Sequence, residues 1–228
     1  MKSMNFTSKY LSNNTKVGAS LDMSRQDSNC LDSCYVSSVC YINNNIQDKI
    51  NKGYIKKMKR NFKLSLSSKF VRIMRKELIK NNLHTLRFFS NGDIIFNDFI
   101  KSDIQLKNIF SLCNSLRREY WLITRNSNAL FKFMQNNEKP LFLNIMLSVK
   151  ENTITESFKN QCDDYKIQLS YITDNKKLSN CPASKSKRKI NTCVSHNCNS
   201  CFQYSKTPKV FMIHGQGNKS KFKVLKNE

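Results

Sequence analysis

Between about Asp48 and Lys80, apolar residues recur every three or four positions: Ile55, Met58, Phe62, Leu66, Phe70 and Ile73. That period places them on one face of a helix, and Asp48 is suited to cap its start. The spacing predicts one long amphipathic helix. Beyond it, short apolar runs alternate with helical periods. Leu83–Ser90 reads as a strand and Asn91–Asp93 as a turn. About Asn97 to Arg117 reads as a helix, Tyr120–Thr124 as a strand and Ser127–Gln135 as a short helix. Leu141–Val149 is a strand apolar on both faces, as in a parallel sheet. Thr153–Cys162 reads as a helix and Ile167–Ile172 as a strand. Two further apolar stretches lie around Val17–Met23 and at Val210–Ile213. Strand–helix alternation at this spacing predicts an α/β fold of βαβ units, either a partial (βα) barrel or an open parallel sheet.

The pattern weakens at both ends. Residues 1–14 are polar and read as a flexible tail, and 15–175 as the barrel-like domain. Residues 176–205 are rich in cysteine and poor in apolar side chains. They read as an appendage that needs a metal to fold. Residues 206–228 hold the final strand and a basic tail. No run approaches the roughly 20 apolar residues that span a bilayer. The opening MKSMNFTSKYLSNNTK lacks an apolar segment, so a cytoplasmic protein is expected.

Charge adds a partner. The formal net charge is +23, with 39 Lys and Arg against 16 Asp and Glu. A codon bias toward Lys and Asn would also favour Glu, so it does not account for the shortage of acids. A field of this sign attracts polyanions. The expected partner is nucleic acid, DNA or RNA, held through phosphates. An anionic membrane surface is the lesser alternative. Between Lys52 and Lys80 there are eleven Lys or Arg and one acid, Glu77. A helix face that is merely solvated normally mixes signs.

Cysteine usage adds chemistry. The cytosol keeps thiols reduced, and reduced cysteines clustered in sequence point to metal. The C-terminal group is Cys181-x11-Cys193-x4-Cys198-x2-Cys201, with His196 inside it. Its C-x2-C pair lets one tight turn offer two thiolates to one ion. Four sulfurs suit tetrahedral zinc or an iron–sulfur cluster. The N-terminal group, Cys30-x3-Cys34-x5-Cys40, supplies three thiolates and leaves one position open on a cubane cluster. A second zinc site, or one site shared by both groups, is the alternative. Cys113 and Cys162 stand alone and read as small buried hydrophobes.

Other chemistries lack their motifs. There is no GxxxxGK[ST] loop and no zinc-deaminase pattern. The three histidines, His84, His196 and His214, form no His-x-His pair. His214 follows an apolar run and is a minor site candidate. Arg125 directly follows the strand YWLIT, at the strand end where parallel sheets bind ligands.

At these residues the chain resembles the bacteriophage "gene product 88" family, an uncharacterised group of phages and mobile elements. NTKVGASLDM followed by the cysteines resembles the family's opening segment and its CYA motif, matched by Cys34-Tyr35-Val36 or Cys40-Tyr41. RFFSNGDIIF resembles its HxSGDF strand and turn, and YWLITRN its FWxYTRS segment. CPAS…CVSHNCNSCF followed by VFMIHGQGN resembles its ending. Phe89 and Asn91 stand where that turn carries His and Ser, and Phe202 stands where the ending carries Trp.

The family's layout is similar to that of radical S-adenosylmethionine enzymes. That likeness implies a 4Fe-4S cluster on Cys30, Cys34 and Cys40, although the superfamily's usual spacing is C-x3-C-x2-C. It implies S-adenosylmethionine on the open iron, with Ser90, Asn91, Gly92 and Asp93 near its amino group. Cys181, Cys193, Cys198 and Cys201 would hold an auxiliary cluster or a structural zinc. The expectation is an iron–sulfur enzyme acting on nucleic acid or nucleotides in a mobile element. The alternative is a zinc protein without catalysis that binds DNA or RNA in replication or control of such an element.

Overall fold

A computed structural model describes residues 6–14, 18–24, 27–29, 52–173, 177–180 and 203–212. The strands are β1 (Ser12–Asn14), β2 (Gly18–Leu21), β3 (Thr85–Phe88), β4 (Glu119–Thr124), β5 (Leu143–Ser148), β6 (Gln168–Thr173) and β7 (Lys209–Met212). The helices are α1 (Lys52–Ser65), α2 (Phe70–Lys80), α3 (Phe99–Ser115), α4 (Ser127–Met134) and α5 (Glu156–Asp164). The fold is α/β. One seven-stranded sheet runs in the order β1 to β7, and every pairing is parallel except β1 with β2.

Sequence-order parallel strands joined by right-handed crossovers carry their helices on one face. Accordingly α3 packs between α2 and α4 and also touches α1. Phe131 of α4 meets Phe158 of α5 edge to face, with ring centroids 5.5 Å apart. The register sorts the side chains. Leu21, Phe88, Leu122 and Ile145 form one row across four strands and belong to the helix-side core. One residue back, Ser20, Arg87, Trp121 and Asn144 form the row on the opposite face. That second face is mixed and buried: polar Ser20, Gln168 and Ser170 are almost fully covered, and so are Trp121 and Met146.

Three helix starts, those of α3, α4 and α5, follow the capping rule, whereas α2 starts after Lys69 without a side-chain cap. Asp98, Asn126 and Thr155 accept hydrogen bonds from Lys101 N, Ala129 N and Phe158 N, satisfying amides that open each helix.

The single helix expected over 48–80 is broken; 48–51 lie outside the described residues. α1 ends at Ser65 and α2 begins at Phe70. The Ser65 and Ser67 hydroxyls compete for the backbone: Ser65 Oγ donates to Phe62 O at 2.8 Å and Ser67 Oγ accepts from Lys69 N at 3.2 Å. Asn108 of α3 then donates to the freed Ser65 carbonyl at 2.8 Å. The break is thereby satisfied from the neighbouring helix.

The expected loose tail is pinned from Ser8 onward. Leu11 is 1% exposed. Buried Asn61 donates to Tyr10 O at 2.9 Å and to Asp22 O at 2.8 Å. Lys57 Nζ donates to Leu11 O and Arg60 to Lys9 O. The C-terminal cysteines, with His196 and His214, lie outside the described residues.

Asn61→Ala should strand two buried carbonyls and cost about 2–4 kcal/mol. Urea unfolding measures the loss, and faster amide exchange in β1 than in β4 would locate it.

Candidate functional site

The carboxyl ends of β2, β3 and β4 meet at one edge of the sheet, where open α/β sheets collect ligands. Asp22 follows β2 and is buried, the whole residue being 2% exposed. Three donors hold it: Tyr54 hydroxyl to Oδ2 at 2.8 Å, Ser20 Oγ to Oδ2 at 3.1 Å and Asn91 N to Oδ1 at 3.2 Å. Burial pushes this carboxyl above its ordinary value of 3.8, against the pull of Tyr54, Ser20, the Asn91 amide and nearby Arg87.

The Ser90–Asp93 turn follows β3. Phe89 N donates to Leu21 O at 3.1 Å, and Met23 N donates to Asn91 O at 2.9 Å. The turn is thus stitched to the end of β2. Gly92 has φ +82°, and a Cβ there would lie 2.8 Å from both Cβ and O of Met23. Only glycine accepts this backbone at this distance.

The orientation of the Asn91 amide follows from its neighbours. The one proton of the Tyr54 hydroxyl goes to Asp22, so its oxygen can only accept. Asn91 therefore presents Nδ2 to Tyr54. Its other terminus, Oδ1, is buried and has no hydrogen-bond partner among the described residues. A buried acceptor without a donor is costly in a finished structure, and a ligand's donor removes the cost.

Asp93 does different work. It is fully buried, and protein donors occupy its carboxylate. Ile94 N reaches Oδ1 at 2.8 Å, Thr124 Oγ1 also donates to Oδ1, and Arg125 N reaches Oδ2 at 2.9 Å. The Arg125 guanidinium stands 3.8 Å from Oδ2. Burial raises the Asp93 carboxyl, while Arg125 and these donors pull it down. Asp93 joins the β3 turn to the end of β4 and faces no ligand directly. Arg125, partly exposed, walls a pocket of about 260 Å3 with Phe96, Asn97, Asn126 and Asn128.

The sequence expectations divide here. Ser90, Asn91, Gly92, Asp93 and Arg125 sit at this one edge. Cys30, Cys34, Cys40, Cys181, Cys193, Cys198 and Cys201 lie outside the described residues. Residues 27–29, which end one position before Cys30, are anchored beside the turn, since Phe96 N donates to Ser28 O at 3.0 Å. Asn180, one position before Cys181, pairs with β7: its amide N–H donates to Val210 O at 3.2 Å and its Nδ2 to Pro208 O at 2.7 Å. Among the described residues no group of three or more His, Cys, Asp or Glu could hold a metal.

Cys113 and Cys162 are buried free thiols, and burial pushes Cys162 up to about 12 and Cys113 well above its ordinary value. Both are therefore poor thiolate ligands. His84 is exposed and meets Arg118 at 2.7 Å.

Sequence reasoning missed Asp22 and Tyr54. The rule that selected Arg125, a charge directly after an apolar strand, applies equally to Asp22 in GASLD. No family model, curated protein or solved structure matches the chain.

The Asp22 carboxyl titrates above 3.8 in the folded state, so folding favours its protonated form. Its contribution to stability is full below about pH 4 and is lost as pH rises through the raised value. Asp22→Asn cannot titrate. Its stability deficit relative to the parent should narrow between about pH 4 and 7 in urea unfolding. A widening deficit would mean that the hydrogen bonds outweigh burial.

Proposed function

We propose that the chain is a cytoplasmic iron–sulfur enzyme resembling the radical S-adenosylmethionine type, acting on nucleic acid or its nucleotides in a phage or other mobile element. One observation carries the reading: the buried Asn91 Oδ1, which has no hydrogen-bond partner among the described residues while Tyr54 takes Nδ2, lies on the turn that the resemblance assigns to the cofactor's amino group. An ammonium is the donor that this oxygen lacks. The fit extends to Arg125, whose guanidinium suits a carboxylate or phosphate. Cys30, Cys34 and Cys40 would hold the cluster, and the C-terminal cysteines an auxiliary cluster or zinc. When bound, an iron–sulfur cluster would supply one-electron chemistry that side chains lack, and a zinc ion would only hold its segment folded.

The chain's own residues bind and orient. Asn91 accepts from the ligand's amino group, Tyr54 and Asp22 fix the amide by holding its Nδ2, and Asp93 fixes the turn against Arg125. Gly92 permits the close approach of turn and β2.

The nucleic-acid half of the proposal rests on the basic face of α1 and α2. Lys52, Lys56, Lys59 and Lys63 are exposed, as are Arg72, Arg75, Lys76 and Lys80. Lys57 and Arg60 are instead bonded to the N-terminal segment. Lysine meets phosphate as a point charge without reading bases. Among the described residues no helix is long and apolar enough to cross a membrane.

Anaerobic purification tests the enzyme half. A brown protein absorbing near about 400 nm and containing iron supports it. Asn91→Ala should then weaken S-adenosylmethionine binding in calorimetry about tenfold, with iron content unchanged. A colourless protein holding stoichiometric zinc would leave the alternative, a zinc-dependent DNA- or RNA-binding protein.

Changing Lys56, Lys59 and Lys63 together to Ala should weaken DNA and RNA binding irrespective of sequence. The log–log salt slope should fall by about 0.7–0.9 per lost phosphate contact, with metal content intact. Failure of the parent protein to retain either nucleic acid at about 0.1 M salt would remove this half.

A further inference from the structure

The outward side of α3 is not polar throughout. Phe99, Ile100 and Ile104 are 53%, 76% and 39% exposed. With Ala129 and Phe133 they line a groove of about 300 Å3 between α3 and α4. Scattered exposed apolar side chains are ordinary, but a contiguous group beside a concavity marks a contact surface. Through Phe99, Ser102 and Ala129 the groove continues into the pocket walled by Arg125. One end is therefore apolar, and the other carries a guanidinium.

Cations flank the apolar row. Lys132 Nζ lies 4.4 Å from the Phe99 ring centroid, and half of the Phe99 side chain nonetheless stays accessible. Lys107 is exposed one turn beyond Ile104 on the same stripe of α3. α3 lies between α2 and α4, and α2 carries the exposed Arg72, Arg75 and Lys76.

Charges that can follow phosphates, interleaved with an aromatic and aliphatic platform, match the needs of single-stranded nucleic acid. A duplex keeps its base faces stacked and offers nothing to Phe99 or Ile100. Asp103 borders the groove and Asp98 its continuation, which opposes anionic lipid and strand phosphates alike, so an anionic lipid surface stands as an outcome of the test. A short acidic peptide would leave most of the adjoining basic field unmatched.

We propose that the α3–α4 groove binds an unpaired stretch of a nucleic-acid strand. Bases lie against Phe99, Ile100 and Ile104, and phosphates meet Lys107, Lys132 and Arg125. This rests on the nucleic-acid half of the function proposed above and narrows it to single strands.

The test is fluorescence anisotropy on the full chain, with labelled oligo-dT of about 20 nucleotides and a duplex of equal length at about 0.1 M salt. The parent should prefer the strand. Phe99→Ala combined with Ile100→Ser changes only side chains already more than half exposed, so thermal unfolding should not move. The double variant should bind oligo-dT about tenfold or more weakly, with duplex affinity and salt slope unchanged. Equal affinity of parent and variant for oligo-dT overturns the inference and leaves general nucleic-acid binding standing. Binding of neither probe by the parent overturns both. Loss of phosphatidylserine-vesicle binding in the variant, with oligo-dT binding intact, overturns the inference in favour of a membrane contact.

Discussion

Parallel strands connected in sequence order by crossovers of one hand must carry their helices on one side. That constraint divides the molecule. The helix-side rows, such as Leu21–Phe88–Leu122–Ile145, take the apolar core. The opposite rows mix polar groups, such as Ser20, Arg87 and Asn144, with apolar ones, such as Trp121 and Met146. The same constraint brings the carboxyl ends of β2, β3 and β4 side by side, so Asp22, Asn91 and Arg125 become neighbours despite their distance in sequence.

At that edge two buried carboxylates do unlike work. Asp93 is surrounded by donors from its own turn and from the end of β4, and it acts as a joint between loops. Asp22 is the anchor of a chain of hydrogen bonds that runs through Tyr54 to Asn91. Each hydroxyl has one proton to give, and that count alone decides which way the Asn91 amide faces. The oxygen left without a donor among the described residues is thus a consequence of satisfying Asp22, two links away.

Elements with a strong period were legible in the sequence. The strand at Glu119–Thr124, the helix at Phe99–Ser115 and the βαβ order follow from spacing within a residue or two. The break between α1 and α2 was not legible, because the apolar period passes unbroken through Leu66 and Phe70. What decides it is Asn108, far along the chain, which satisfies the Ser65 carbonyl. β1 was missed for a related reason: Ser-Asn-Asn has no alternation, and its position is set by Asn61 and by pairing with β2. At the candidate site the Gly92-Asp93 turn and Arg125 stood out by type and position. Tyr54 did not, since an aromatic near a helix start gives no sign of the carboxylate that it will meet.

The two margins of the sheet bear on how the protein behaves when concentrated. β1 is three residues long and antiparallel to its neighbour. The margin at β7 is already engaged, because Asn180 gives its amide to Val210 O and takes Val210 N–H on its side-chain oxygen. A side chain there imitates the next strand without being one. Neither margin offers a second molecule a long run of open backbone groups, and such a run is what seeds edge-to-edge aggregation. Among the described residues, the sheet is thus guarded against templated stacking through β1 or β7.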